Sequence, residues 1–294
     1  MLPRVLLHLA RTACHAVSPE LHRATARAIA AIQYRLLTAR RNAVLENLAT
    51  IGAAGHPELA DPASRERIAQ RMFENLQLSW IEYLAGPAVS DAPGGTALEF
   101  HGAEFLYQAL ARGRGAVIAA SHLGGWELAG SALARLGIAV HAVSGVQLHP
   151  FVAREVRAWK RREGIRVHTP RDGFEPLVAA LREGGVVVLL VDGDVRSRTL
   201  PTTFFGRRAS FPAGPAILAR RVGVPILHAH AARGADGRHR VSFDGMDEPD
   251  LSLPLREDLL RLTSLVARTQ ERNIAAHVSQ WCIFRPLWSA ADAA

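Results

Sequence analysis

The sequence predicts an α/β fold: a largely parallel sheet flanked by helices, preceded by an N-terminal helical segment. Three observations predict it. From residue 98 onward, short apolar runs alternate with stretches of helical period, the pattern of strand–helix–strand units. The run Val186-Val-Val-Leu-Leu-Val191 is apolar at every position, as a strand covered on both faces requires. The first 95 residues carry apolar positions at helical spacing and read as helix and loop.

Taken in order, residues 2–16 are expected to form an amphipathic helix. Leu2, Val5, Leu6, Leu9 and Ala13 fall on one face and Arg4, His8, Arg11 and His15 on the other. That pattern suits a helix lying in a membrane surface, and equally one docked on the domain's own core. Residues 20–50 continue as one helical stretch, with Leu21, Ala24, Ala28, Ile32 and Leu36 in period and the basic pair Arg40-Arg41 further on. After Gly55-His-Pro57 another helix is expected from Pro62 to Leu84, and Gly86 to Gly95 reads as a loop.

The first strand is expected at Leu98–Phe100, then a helix over Ala103–Arg112. The central strand Gly115–Ala120 follows, with its helix from Trp126 to Leu136. Further strands are expected at 138–143, 165–168, 186–191 and 224–230, and a paired edge strand at Arg240–Asp244. Helices are expected at Gln147–Arg162, Gly173–Glu183, Ala216–Val222 and Arg256–His277, and Thr199 to Pro215 reads as a loop.

The most informative stretch is Ser121-His122-Leu-Gly124-Gly125-Trp126-Glu127. It sits where a buried strand ends and a helix begins, the edge at which α/β folds place their sites. On one continuous helix His122 and Glu127 would diverge by about 140° around the axis. They meet only if His122 lies in the turn and Glu127 reaches back from the first helical turn, and the two glycines permit that turn. A carboxylate on one imidazole nitrogen fixes the tautomer and leaves the other nitrogen basic. The same spacing also fits a strand-end histidine held by backbone, with Glu127 a solvated carboxylate at a helix N-terminus.

The chain has 294 residues, is 49% hydrophobic and carries a formal net charge of +8, mostly from arginine. That charge suits an anionic partner. Only Cys14 and Cys282 occur, which suggests neither a disulfide framework nor a cysteine metal site. No apolar run reaches the roughly 18–20 residues of a membrane span, and the N-terminus shows no cleavage signal. The Gly-x-Ser-x-Gly elbow, the dinucleotide fingerprint and the Walker loop do not occur. Asp192 with Asp194 is too little for a metal site. The aromatics are not interleaved with basic residues, so nucleic-acid binding is not expected.

Read together, these residues resemble the bacterial lipid A biosynthesis (lauroyl/myristoyl) acyltransferases and the related phosphatidylinositol mannoside acyltransferases. Both lie within the lysophospholipid and glycerolipid acyltransferases with a His-x4-Asp/Glu motif. Arg41 with Asn47-Leu48, the block Ser121–Glu127, an arginine at 161 or 162 before Gly164, Asp192-Gly-Asp194, Phe204-Phe205-Gly206 and Phe211-Pro212-Ala213-Gly214-Pro215 occur in the family's order over about residues 40–230. Ala213 stands where glycerol-phosphate acyltransferases usually have Glu, and Gly193 where Gln or Arg is common.

The resemblance implies a glycerolipid acyltransferase-like sandwich at 96–294 behind a membrane-docking helical segment at 1–95. It implies acyl transfer from acyl carrier protein or acyl-CoA to a hydroxyl of a membrane lipid or glycolipid such as a lipid A precursor. His122 would be the general base and Glu127 its orienting partner. Substrate contacts are expected from Gly124, Gly125, Trp126, Arg161, Arg162, Asp192, Asp194, Phe205, Gly206, Arg207, Arg208, Phe211 and Pro212. No metal or organic cofactor is expected. The N-terminal helix and the basic surface would dock the enzyme, as a peripheral or monotopic protein, on the anionic cytoplasmic face of the inner membrane. A thioesterase or lipid hydrolase with the same dyad, and a non-catalytic lipid-binding protein, are the alternatives.

Overall fold

The computed structural model describes residues 17–85, 87–88, 96–143, 150–192 and 198–288. The helix expected at 2–16, most of the loop at 86–95, the start of the helix at Gln147, and Gly193 with Asp194 lie outside the described residues.

The N-terminal layer is three helices, α1 (Pro19–Leu36), α2 (Thr38–Ala53) and α3 (Pro62–Ala85). Ser18 caps α1, its hydroxyl accepting from the Leu21 amide, with Pro19 at the first helical position. The stretch expected as one helix breaks at Leu37, whose ψ of 61° leaves the helical region. The break lets α2 turn back while α1 lays His22, Ala26, Ala30 and Tyr34 against α3. Tyr34 meets Phe73 edge-to-face at 5.2 Å.

The sheet follows: β1 (Pro87–Ala88), β2 (Thr96–His101), α4 (Ala103–Leu110), β3 (Ala116–Ala120), α5 (Trp126–Arg135), β4 (Val140–Val143), α6 (Pro150–Arg162), β5 (Arg166–His168), α7 (Glu175–Arg182) and β6 (Val186–Leu190). Then come β7 (Thr199–Phe204), β8 (Arg207–Pro212), α8 (Gly214–Val222), β9 (Ile226–Arg233), β10 (His239–Asp247) and α9 (Leu255–Ala276). The main sheet has the order β1-β2-β10-β9-β3-β6-β4-β5 and is parallel at every pairing except β9 with β10. The fold class read from the sequence is therefore the observed one.

Two local expectations are corrected. The strand at Arg240–Asp244 is not an edge: β10 lies between β9 and β2. The stretch Thr199–Pro215 is not a loop: β7 and β8 form an antiparallel hairpin closed by Phe205-Gly206. Both turn residues have positive φ, 48° and 69°, as a two-residue hairpin turn of matching twist requires. A phenylalanine at the first of these positions conceals the turn from a sequence reading.

Each strand of the sheet's centre divides its side chains between two cores. Val117 and Ala119 of β3 join a core with α1–α3, α7, α8 and α9. Ala116 and Ile118 join a second core with Leu106 and Ala109 of α4, Leu133 of α5 and Ile165. All five residues of β3 are buried. Just before it, a Cβ on Gly115 would collide with the Gly185 carbonyl. Gly115→Ala is expected to destabilise the protein by about 2–3 kcal/mol through this overpacking, which chemical denaturation measures. An unchanged midpoint contradicts the close approach.

Candidate functional site

The parallel register of β3 with β6 pairs Ala120 with Leu190. Two residues beyond each, His122 and Asp192 therefore stand level at the C-terminal edge of the sheet. His122 Nδ1 lies 2.8 Å from Asp192 Oδ1. The His122 amide donates to both carboxylate oxygens, at 3.0 and 2.9 Å. Trp281 Nε1 donates to Oδ2 at 2.8 Å, and the Arg285 guanidinium reaches the Asp192 carbonyl at 3.3 Å. Asp192 is 2% exposed, whereas the His122 side chain is 29% exposed. Burial alone would raise the Asp192 pKa. The charge of His122 and the bonds from His122 and Trp281 outweigh it and hold the carboxyl below its ordinary value. The product is an imidazole fixed at Nδ1, with its other nitrogen turned away from the protein's carboxylate.

This corrects the expected pairing. The carboxylate on His122 is that of Asp192, while Glu127 Oε2 lies 2.9 Å from Lys160 Nζ, both side chains being largely buried. The physical reason is the turn. Gly124 takes a left-handed φ of 54°, and its amide donates to the Gln280 carbonyl at 3.0 Å. Glu127 leaves in the first turn of α5, toward α6. A Cβ on Gly124 would strike the Ala231 carbonyl, and one on Gly125 would strike the His239 ring, so both glycines are required by close packing as well as by conformation. The Trp126 ring meets the His122 ring edge-to-face at 5.4 Å.

A cavity of about 70 Å³ runs between the sheet and α5, and Ser121 and Trp126, on either side of His122 in the chain, line it. Its walls are largely apolar, with small residues such as Ala120, Ala129, Gly130, Ala142 and Ala229 among larger ones such as Ile118, Leu133, Ile165 and Phe243. Ser121, the Glu127–Lys160 pair and His230, whose Nδ1 lies 2.8 Å from Asp244 Oδ2, give it a polar part.

The remaining expected residues lie elsewhere. Arg161 and Arg162 are exposed at the end of α6, next to the Lys160 that does reach the cavity. Phe205 and Phe211 are buried, and Phe204 and Phe205 pack on Trp288. Pro212 is half-buried at the end of β8. The Phe205 amide donates to Glu271 at 2.6 Å. Gly206 closes the hairpin, Arg208 is exposed, and Arg207 reaches Thr50 Oγ1 of α2 at 3.5 Å. Sequence reasoning missed Trp281 and Arg285. Neither belongs to a local pattern that marks a site, because each arrives through tertiary packing.

The profile of the bacterial lipid A biosynthesis acyltransferase family matches residues 6–290. This chain belongs to that family. It is an acyltransferase by that membership. It is 27% identical over 216 residues to a phosphatidylinositol mannoside acyltransferase of Mycolicibacterium smegmatis, covering 72% of this chain and 69% of the relative. A phosphatidylinositol mannoside acyltransferase of Mycobacterium tuberculosis is 29% identical over 194 residues, covering 64% of this chain and 59% of that relative's length.

The Asp192 geometry carries a pH-dependent prediction. A carboxyl whose folded pKa is depressed contributes stability above the ordinary carboxylate range, near 4, and loses it as pH falls through the folded value. Asp192→Asn is expected to cost about 3 kcal/mol at pH 7 by leaving buried donors facing an amide. The gap to the wild type should narrow below about pH 4. Denaturation of both proteins from pH 3 to 8 checks this, and a gap that stays constant contradicts it.

Proposed function

We propose that this acyltransferase moves a fatty acyl group from a thioester donor, acyl carrier protein or acyl-CoA, to a hydroxyl of a membrane glycolipid. One observation carries the reading: a partly exposed imidazole, oriented by a buried carboxylate, follows directly on Ser121, which lines an apolar cavity, in a chain of this family. His122 Nε2 takes the acceptor's hydroxyl proton, and the oxygen attacks the thioester carbonyl. The first-turn amides of α5 stabilise the tetrahedral oxyanion. The carbon–sulfur bond then breaks, and the leaving thiolate recovers the proton from the imidazolium. Asp192 holds the tautomer and stabilises the imidazolium throughout. The acyl chain lies in the cavity, with the Glu127–Lys160 pair bracing α5 to α6 over it. No cofactor is needed for this sequence of steps. The names of the mycobacterial relatives favour a sugar hydroxyl on an anionic glycolipid as the acceptor.

The test is transfer of radiolabelled acyl groups from both donors into total membrane lipid. Wild type is expected to label one glycolipid band, and His122→Ala to lose at least about 10³-fold. Asp192→Asn, with the tautomer no longer enforced, is expected to lose about 10³–10⁴-fold. Release of free fatty acid without lipid labelling overturns transfer in favour of hydrolysis. Equal labelling by wild type and His122→Ala removes His122 from the mechanism.

The enzyme is proposed to work at the surface of the inner membrane's cytoplasmic leaflet. Among the described residues no helix is long and apolar enough to cross a membrane. α1 instead exposes Leu21, Ile29, Ile32 and Leu36, the last 73% exposed, along one side, with Arg35 and Arg40 exposed at its end. An apolar stripe beside cations suits an anionic lipid surface. The double variant Ile32→Glu/Leu36→Glu is expected to lower binding to vesicles containing anionic lipid at least about tenfold while leaving the fold intact. Undiminished sedimentation with vesicles moves the docking surface elsewhere.

A further inference from the structure

We infer that the C-terminal segment Gln280–Leu287 is part of the active-site scaffold and that Trp281 is a positioning residue, its indole N–H fixing Asp192 so that His122 presents Nε2 as the basic nitrogen.

The segment follows α9 and a single 3₁₀ turn at Val278–Gln280, and it grips the catalytic turn from both sides. The Gly124 amide donates to the Gln280 carbonyl at 3.0 Å, and the Cys282 amide donates to the His122 carbonyl at 2.8 Å. Between these bonds Leu123 and Trp281 form an isolated antiparallel bridge. Both ends of the segment are anchored. At one end the Gln280 side chain accepts from the Arg233 amide at 2.7 Å and donates to its carbonyl at 2.8 Å. At the other, the Asn47 amide group donates to the Arg285 carbonyl at 2.9 Å and accepts from the Leu287 amide at 3.1 Å.

Within this frame Trp281 is fully buried, and its indole reaches Asp192 Oδ2 at 2.8 Å. An indole N–H donates only. Oδ2 therefore acts as an acceptor, and with the His122 amide also donating to it the carboxylate cannot turn its second oxygen to the imidazole. Oδ1 is left for His122 Nδ1. An ionised carboxylate accepts only, so Nδ1 carries the hydrogen and Nε2 keeps its lone pair.

Other titratable and charged groups face this corner. Cys282 and Arg285 stand on the same segment, Arg233 at the end of β9, and Glu127 with Lys160 on α5 and α6. Burial and the Asp192 charge push the Cys282 thiol up to about 12, so it stays protonated and does not compete for the proton.

Removing the indole donor raises the proton affinity of the His122–Asp192 pair, whichever partner holds the proton. In Trp281→Phe the titration midpoint of the pair is therefore expected to move up by about half a unit to one unit. The midpoint is read by NMR of labelled imidazole, with His122→Gln used to assign the signal. The rate part rests on the acyl-transfer reading: kcat should fall about tenfold with KM little changed, and the acid limb of the pH–rate profile should follow the NMR midpoint. A midpoint within 0.2 units of wild type, even with a weakened fold, overturns the inference, because a purely structural tryptophan would not move it. If Trp281→Phe does not fold, benzothienylalanine at position 281 keeps the shape, replaces the N–H by sulfur and gives the same readout. A shifted midpoint in a protein that transfers no acyl group upholds the positioning role and defeats the acyl-transfer reading instead.

Discussion

The buried carboxylate of Asp192 is the constraint on which the arrangement around His122 depends. A charge at that depth is tolerated only if its lone pairs are filled by donors. Here the donors come from two separate parts of the chain, the imidazole and amide of His122 after β3 and the indole of Trp281 near the C-terminus, and the register of β3 and β6 brings His122 level with Asp192. Each donor is itself fixed by backbone pairing. The same demand that keeps the charge satisfied thus sets the orientation of the partly exposed His122 imidazole.

A second constraint is space. Gly124 and Gly125 allow the backbone to pass the Ala231 carbonyl and the His239 ring without a Cβ. Gly130, one turn into α5, lines the cavity next to Ile165, whose Cδ1 a Cβ here would touch at 3.5 Å. A glycine inside a helix costs about 1 kcal/mol relative to alanine. At Gly130 that cost leaves room for a chain beside the sheet. Small residues on β3, β4 and β9 act in the same sense, so the cavity follows from side-chain size rather than from any departure of the backbone.

The fold was legible because its signals are local. Alternation of apolar runs with helical stretches identified the parallel sheet, and the all-apolar Val186–Val191 identified a strand covered on both faces. The hairpin was not legible because Phe205 occupies a positive-φ position where glycine or asparagine is the usual sign. The site was half legible. His122 at a strand end before two glycines drew attention on local grounds, but its partner did not. In sequence Glu127 is the nearer carboxylate. In space Asp192 is, because β6 neighbours β3 while β4 and β5 are displaced to the sheet's edge. Strand order is a tertiary fact, and with it came Trp281, which in the sequence is one more apolar residue after a helix.

The N-terminal helices take part in both constraints. Asn47 on α2 holds the Arg285–Leu287 backbone, Asn75 on α3 donates to the Ser279 carbonyl, and Ser79 donates to the Gly124 carbonyl. The helical layer therefore bonds to the segment that fixes Asp192 and to the turn that carries His122. Its other side exposes the apolar stripe of α1. On the proposed docking through that stripe, a layer that also ties down the His122 turn would give the imidazole a fixed position relative to the membrane surface. The proposed lipid acceptor would require that arrangement, since the depth of its hydroxyl and the height of the base must agree to within hydrogen-bond reach.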